Sequence, residues 1–202
     1  MAYNGQAPII QMQNIVKTFP GVKALDNMSL DLYKGEIHCL VGENGAGKST
    51  LIKVLSGAYR PDSGKIIVEG YEYGYMTAQI SGELGISTVY QENLLVPWMN
   101  AVENIFVGQE LTRYGNLDLK SEYKKTRELC EALGINLDLN KIIAEMSVSD
   151  QQFVKILKAL NTNPKVLIMD EPTSMFNTED AGKVLKMVSQ IADQGVSIIY
   201  IS

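Results

Sequence analysis

The spacing of apolar residues along this chain switches between a period of two and a period near 3.6. "IIQMQNIVKTF" (9–19) and "MSLDLY" (28–33) alternate as strands do, with a loop expected over Pro20–Lys23. "GEIHCLVG" (35–42) is a compact strand that ends in glycine, and "KSTLIKVLSG" (48–57) is a helix stopped by Gly57. "SGKIIVEG" (63–70) predicts a further strand, "YMTAQISGELG" (75–85) a short helix and "ISTVYQE" (86–92) another strand. From about Pro97 to Leu160 the pattern becomes mostly helical: "NAVENIFVGQEL", "LKSEYKKTRELCEALG" and "SDQQFVKILKAL" carry apolar residues three and four apart. Alternation then resumes with strand "KVLIMDEP" (165–172), helix "TEDAGKVLKMVSQIADQG" (178–195) and strand "VSIIYIS" (196–202). Strand, helix, strand in sequence predicts an α/β fold with a largely parallel sheet and right-handed crossovers, interrupted by a helical insert. No internal repeat or low-complexity tract breaks the pattern.

Composition narrows the classes of function. The 202 residues suffice for one large domain with a sizeable core. A net charge of −5 argues against a broad electrostatic grip on nucleic acid or an anionic membrane, and no nucleic-acid partner is expected. "MAYNGQAP" has neither a basic start nor an apolar run, so it does not read as a signal peptide, and no apolar stretch approaches a bilayer-spanning length. Cys39 and Cys130 lie far apart in apolar-rich segments and read as buried free thiols, which suits a reducing cytosol.

The strongest chemical signal is "GENGAGKST", Gly42 to Thr50 (Gly42, Glu43, Asn44, Gly45, Ala46, Gly47, Lys48, Ser49, Thr50). It follows a strand, opens a helix and fits the phosphate-loop spacing. The glycines allow a tight turn whose amides point inward, and with the helix N-terminus they favour a bound polyphosphate. Lys48 is placed to reach the β- and γ-phosphates of ATP, Ser49 to ligate Mg²⁺ and Thr50 to add a phosphate contact. The second signal is "VLIMDEP", an apolar strand ending in two carboxylates. Asp170 reads as a Mg²⁺ holder, through water, and Glu171 as the general base that polarises the attacking water.

With these motifs the chain resembles the ATPase domains of ABC transporters over essentially its whole length. The resemblance implies a phosphate-loop NTPase fold: a RecA-like core sheet, a small antiparallel β portion and a helical subdomain at about 97–160. It implies that Gln91 in "VYQEN" is the Q-loop glutamine, a Mg²⁺ ligand that couples nucleotide to the transport partner, and that Phe19 in "KTFPGVKAL" stacks on adenine. "MSVSDQQ" stands at the signature, so that Ser147, Val148, Ser149, Asp150 and Gln151 would cap ATP held by a facing second ATPase domain. "SMFN", Ser174–Asn177, takes the D-loop position. Two departures stand out: Ser149 replaces the signature's second glycine, and Asn177 replaces the more usual D-loop aspartate or threonine. In the family a switch histidine directly follows the segment "IIYIS", and this sequence stops at Ser202, one residue short. The chain therefore reads as a single nucleotide-binding domain, 1–202, of a longer ATPase, weakly active alone. His38, in the strand before the phosphate loop, reads as a core or rim residue.

Finer likeness ("GENGAGKSTLIKVLSGAY", "RYGNLDLKSEY", "SVSDQQFVKILKAL") is to the first half of the ATPase subunit of monosaccharide importers of the ribose, galactose and xylose type. That resemblance implies membrane permease subunits and a second ABC half as partners, a periplasmic or extracellular solute-binding protein indirectly, and a place on the cytoplasmic face of the membrane. A nucleoside importer, a soluble non-transport ABC ATPase and a nucleotide-sensing module remain alternatives. Of the remaining features, "YEYGY" (71–75) reads as a strand face and turn, and "KSEYKKTRE" as a solvated helix face. Trp98 reads either as a contact for the membrane partner or as packing inside the helical lobe.

Overall fold

The computed structural model describes residues 6–43, 45–92, 94–173, 176 and 178–202. Asn44 of the glycine-rich turn, and Ser174, Met175 and Asn177 of the D-loop position, lie outside the described residues.

Four strands form an antiparallel sheet in the order β2 (Val22–Leu32), β1 (Ile10–Phe19), β4 (Ser63–Val68), β5 (Tyr71–Tyr73). The loop expected over Pro20–Lys23 is a tighter turn: Phe19 pairs with Val22, and Gly21 takes φ +83° between them. Proline presets its own φ and glycine accepts the positive one, so the chain reverses within those two residues. The second strand starts at Val22 rather than near Met28 because register shifts along the β1–β2 pair, and a positive φ at Asn27, break the two-residue alternation. Tyr71–Tyr73 is the strand face expected of it.

Four parallel strands form the second sheet, in the order β3 (Ile37–Leu40), β10 (Ser197–Ile201), β9 (Val166–Asp170), β6 (Ile86–Val89). Every residue of β9 and β10 is buried. Alternate side chains enter two different cores: Leu167, Met169, Ile198 and Tyr200 one, Val166, Ile168, Ile199 and Ile201 the other. That double burial is why both strands read as unbroken apolar runs. Helix α1 (Lys48–Leu55) sends Leu51, Ile52, Val54 and Leu55 into the core shared with the antiparallel sheet, and α2 (Ala78–Glu83) begins at an N-cap where Thr77 Oγ1 accepts from the Ile80 amide at 3.1 Å. The opposite core takes residues of α3 (Ala101–Phe106), α4 (Leu119–Ala132), α5 (Val148–Leu160) and α6 (Thr178–Asp193).

The helical stretch departs from expectation in two places. Helix α3 stops at Phe106, short of the expected Leu111, because Val107 leaves helical φ/ψ and Gly108 takes φ +80°. A short hairpin follows, β7 (Thr112–Arg113) and β8 (Asn116–Leu117), around Tyr114 and Gly115 at φ +53° and +80°. Both turn residues at positive φ are what a tight hairpin turn requires.

Two burial expectations are corrected. Cys39 is exposed, because β3 pairs only with β10 among the described strands and its alternate positions face out. Cys130 is buried, and loss of water pushes its thiol up to about 11. Most of the charge run on α4 is solvated, but Glu122 is 2% exposed, its carboxylate accepting the Leu111 amide at 2.8 Å. His38 sits part-buried on β3 with Nδ1 3.0 Å from Glu36 Oε1.

Candidate functional site

Parallel pairing brings the chemistry together. Ile201 lies level with Leu40 on one side and with Asp170 on the other. The turn that leaves β3 after Leu40 therefore emerges at the same sheet edge as the carboxylates that end β9, outside the carboxyl ends of the strands.

The turn itself is shaped by glycine. Gly45 and Gly47 take φ +85° and +88°, and Gly47 is the N-cap of α1. A Cβ on Gly47 would stand 2.5 Å from the Ala24 carbonyl oxygen, so backbone passes here with no room for a side chain. No side chain caps α1 and its first turn holds no acidic residue. The orphan amides and the positive end of the dipole are thus left for an outside anion. The Lys48 ammonium folds back onto the carbonyls of Gly42 and Glu43.

Asp170 is 7% exposed at the end of β9, and the Ser49 hydroxyl donates to its Oδ1 at 3.4 Å. Burial raises the carboxyl above the usual aspartate range, against the lowering effect of the Ser49 bond. Two hard oxygens in a desolvated setting suit a divalent cation such as Mg²⁺. Among the described residues no group of three or more His, Cys, Asp or Glu could hold a metal alone, so further ligands would come from the Gln91 amide oxygen, a bound phosphate or water. Glu171 follows at φ +47°, a left-handed conformation that is strained for glutamate and turns the chain sharply. Its amide donates to Ile201 O at 3.1 Å, and its carboxylate oxygen Oε2 accepts from Gln91 Nε2 at 3.1 Å. Gln91, two residues past β6, thus meets a residue eighty positions away.

Phe19, Glu43, Gly45 through Thr50 and Glu171 line one cleft of about 390 Å³. Val22, Lys23 and Ala24 line it too. Val22 and Lys23 lie in the segment expected as a loop and Ala24 just past it, and only their position soon after Phe19 could have pointed to them. Behind Phe19 stands Tyr59, ring centroids 5.2 Å apart and planes at 70°.

The signature residues gather elsewhere. Ser147 caps α5, its hydroxyl accepting the Asp150 amide at 3.1 Å. Gln151 Nε2 donates to the carbonyls of Ile143 and Met146, at 3.1 and 3.2 Å. Val148 is exposed, and the Ser149 hydroxyl donates to Asp180 of α6 at 2.8 Å. Ser147, Ser149 and Asp150 line a separate cleft of about 380 Å³ that shares no residue with the first. Trp98 is 78% exposed, which removes the reading of it as packing inside the helical stretch, and Leu94 beside the Gln91 turn is exposed as well.

Comparison with known proteins yields a consistent picture. The profile of the ABC transporter family matches residues 25–174. A ribose import ATP-binding protein of Streptomyces avermitilis is 46% identical over 194 residues, 96% of this chain and 37% of that protein. A putative ribose/galactose/methyl galactoside import ATP-binding protein of Halalkalibacterium halodurans is 43% identical over 98% of this chain and 38% of its own length. The chain thus spans under two-fifths of these curated relatives. Among solved structures, the ADP conformation of an ATP-binding cassette of an ABC transporter superposes with a TM-score of 0.84 at 28% identity, over 98% of this chain and 82% of that one.

Proposed function

The chain belongs to the ABC transporter family, and on that premise we propose that it is an ATP-binding cassette that hydrolyses ATP to power import of a sugar through a membrane permease. The observation that carries the proposal is the cleft lined together by the glycine turn, Lys48, Ser49 and Glu171, with Asp170 hydrogen-bonded to Ser49. The sugar comes from the names of the relatives.

The loop amides and the α1 N-terminus hold the triphosphate, and Lys48 leaves its loop carbonyls for the β- and γ-phosphates. Ser49 and Asp170, with the Gln91 amide oxygen, would hold Mg²⁺, which would supply positive charge to offset that on the phosphate oxygens. Glu171 accepts a proton from water as the water oxygen bonds the γ-phosphorus and the bond to the β-phosphate oxygen breaks, releasing ADP. Gln91 orients Glu171 through its amide. Positioning and charge neutralisation supply most of the rate in such a transfer.

One copy keeps the phosphate loop and the signature in separate clefts. A complete site therefore takes Ser147–Gln151 from a second ATPase domain, and a single chain turns over slowly. No described helix is long and apolar enough to cross a membrane. The importer relatives support membrane association through permease subunits. Exposed Leu94 and Trp98, close in sequence to Gln91, suit that contact, and a solute-binding protein would act on the permease's far side. The test is Glu171→Gln: ATP binding is kept while turnover in the transporter falls by about 10²–10⁴-fold. Unchanged turnover removes the general-base role, and absence of magnesium-dependent ATP binding by the folded chain removes the function.

A further inference from the structure

The aromatic wall of the cleft is braced from outside the cleft. Tyr59 meets the Phe19 ring edge-to-face at 5.2 Å. Its own position is set by α1: its amide donates to Lys53 O at 2.9 Å, and the Lys53 ammonium lies 5.7 Å from its ring centroid. Three residues on, the Asp62 amide donates to Val16 O at 2.8 Å, tying this segment to β1. The Asp62 carboxylate then accepts the Thr18 amide at 2.6 Å and the Lys17 ammonium at 3.1 Å. Lys17 Nζ in turn lies over the Phe19 ring, 5.4 Å from its centroid. The Lys17 contact, helped by the Thr18 amide, holds the Asp62 carboxyl below the usual carboxylate range, so the brace is charged at neutral pH. Both residues preceding Phe19, and its ring, are therefore fixed by Tyr59 and Asp62, neither of which lines the cleft.

We propose that Tyr59 and Asp62 are positioning residues for nucleotide-base recognition: they hold the Phe19 ring at the angle and depth at which it stacks on adenine. The inference rests on the proposed function, since it assumes that Phe19 stacks on the base. Its physical ground is preorganisation. A half-buried ring free to change rotamer loses that freedom when a base stacks on it, whereas a braced ring has lost it already. The brace concerns only the base. The triphosphate is gripped by the loop amides and Lys48, which neither Tyr59 nor Asp62 touches.

The test measures binding of Mg-ATP and of magnesium tripolyphosphate to the 202-residue chain by calorimetry. Tyr59→Ala and Asp62→Ala each weaken ATP by about three- to tenfold, in line with immobilising one side chain, and leave tripolyphosphate within about twofold. Tyr59→Phe keeps the ring and binds ATP as the parent does. The Asp62 side chain is 43% exposed, so its variant keeps the question open to test even where the Tyr59→Ala chain fails to fold. Phe19→Ala serves as the reference for loss of the stack. Equal losses for both ligands assign a general structural role and overturn the proposal. ATP binding unchanged in the brace variants, with Phe19→Ala weakened, overturns the brace and leaves the stack standing. ATP binding unchanged in Phe19→Ala overturns the stack and the brace together.

Discussion

Gly45 and Gly47 offer a controlled experiment inside the phosphate loop. Both take nearly the same backbone conformation, φ +85° and +88°. They differ in surroundings: a Cβ on Gly45 meets nothing within 4 Å, whereas one on Gly47 meets Ala24 O at 2.5 Å and Leu25 Cδ2 at 3.0 Å. Substitution by alanine puts the same left-handed strain, about 1–2 kcal/mol, on each. Against it stands about 0.4–1 kcal/mol of entropy removed from the unfolded chain, so Gly45→Ala costs roughly 0–1.5 kcal/mol. Gly47→Ala adds an overpacking term of about 1–3 kcal/mol. Ala24 and Leu25 belong to β2, and Leu25 is paired with Lys17 of β1, so the loop rather than the strand has to give. A displaced loop carries its amides off the phosphates, and one lost bond to a charged group is worth about 1.5–3 kcal/mol. Calorimetric melting and titration with Mg-ATP should therefore separate the two variants. Gly47→Ala melts about 2–12 °C below Gly45→Ala, at roughly 2–4 °C per kcal/mol for a chain of this size, and binds ATP about ten- to a hundredfold more weakly. Equal melting and equal binding in the two variants would refute the claim that close approach to β2 is what demands glycine at position 47.

Two further outcomes follow from the same geometry. Burial raises the Asp170 carboxyl, so the folded state binds its proton more tightly than the unfolded chain; this charge costs stability once pH exceeds the raised value, and the cost fades as pH falls toward the ordinary one. Without nucleotide, Asp170→Asn should melt above the parent at pH 7, the gap closing in acid, and with Mg-ATP the order should invert; a parent that melts higher in both conditions sinks that reading. Ser149→Ala removes the bond to the Asp180 carboxylate, which Lys183 still pairs at 3.0 Å, and should lower the melting temperature by about 3–12 °C; no change would mean the contact between α5 and α6 contributes nothing.

The glycine turn was legible in the sequence because its requirements are local: positive φ at fixed offsets, a strand before and a helix after. The buried character of β9 and β10 was legible too, since strands covered on both faces must be apolar throughout. Motif spacing suggested shared roles for distant segments, but it could not supply the geometry that brings them together. Ser49 and Asp170 are 121 positions apart, and only the strand order β3-β10-β9 sets the end of β9 beside the turn after β3. The same holds for Gln91 against Glu171, Ser149 against Asp180, and Tyr59 and Asp62 behind Phe19. Cys39 shows the reverse error: its neighbours are apolar, yet exposure depends on what lies beside β3. Local conformation follows from a few neighbouring residues; burial and side-chain encounters follow from which strands pair, and that choice belongs to the whole chain at once.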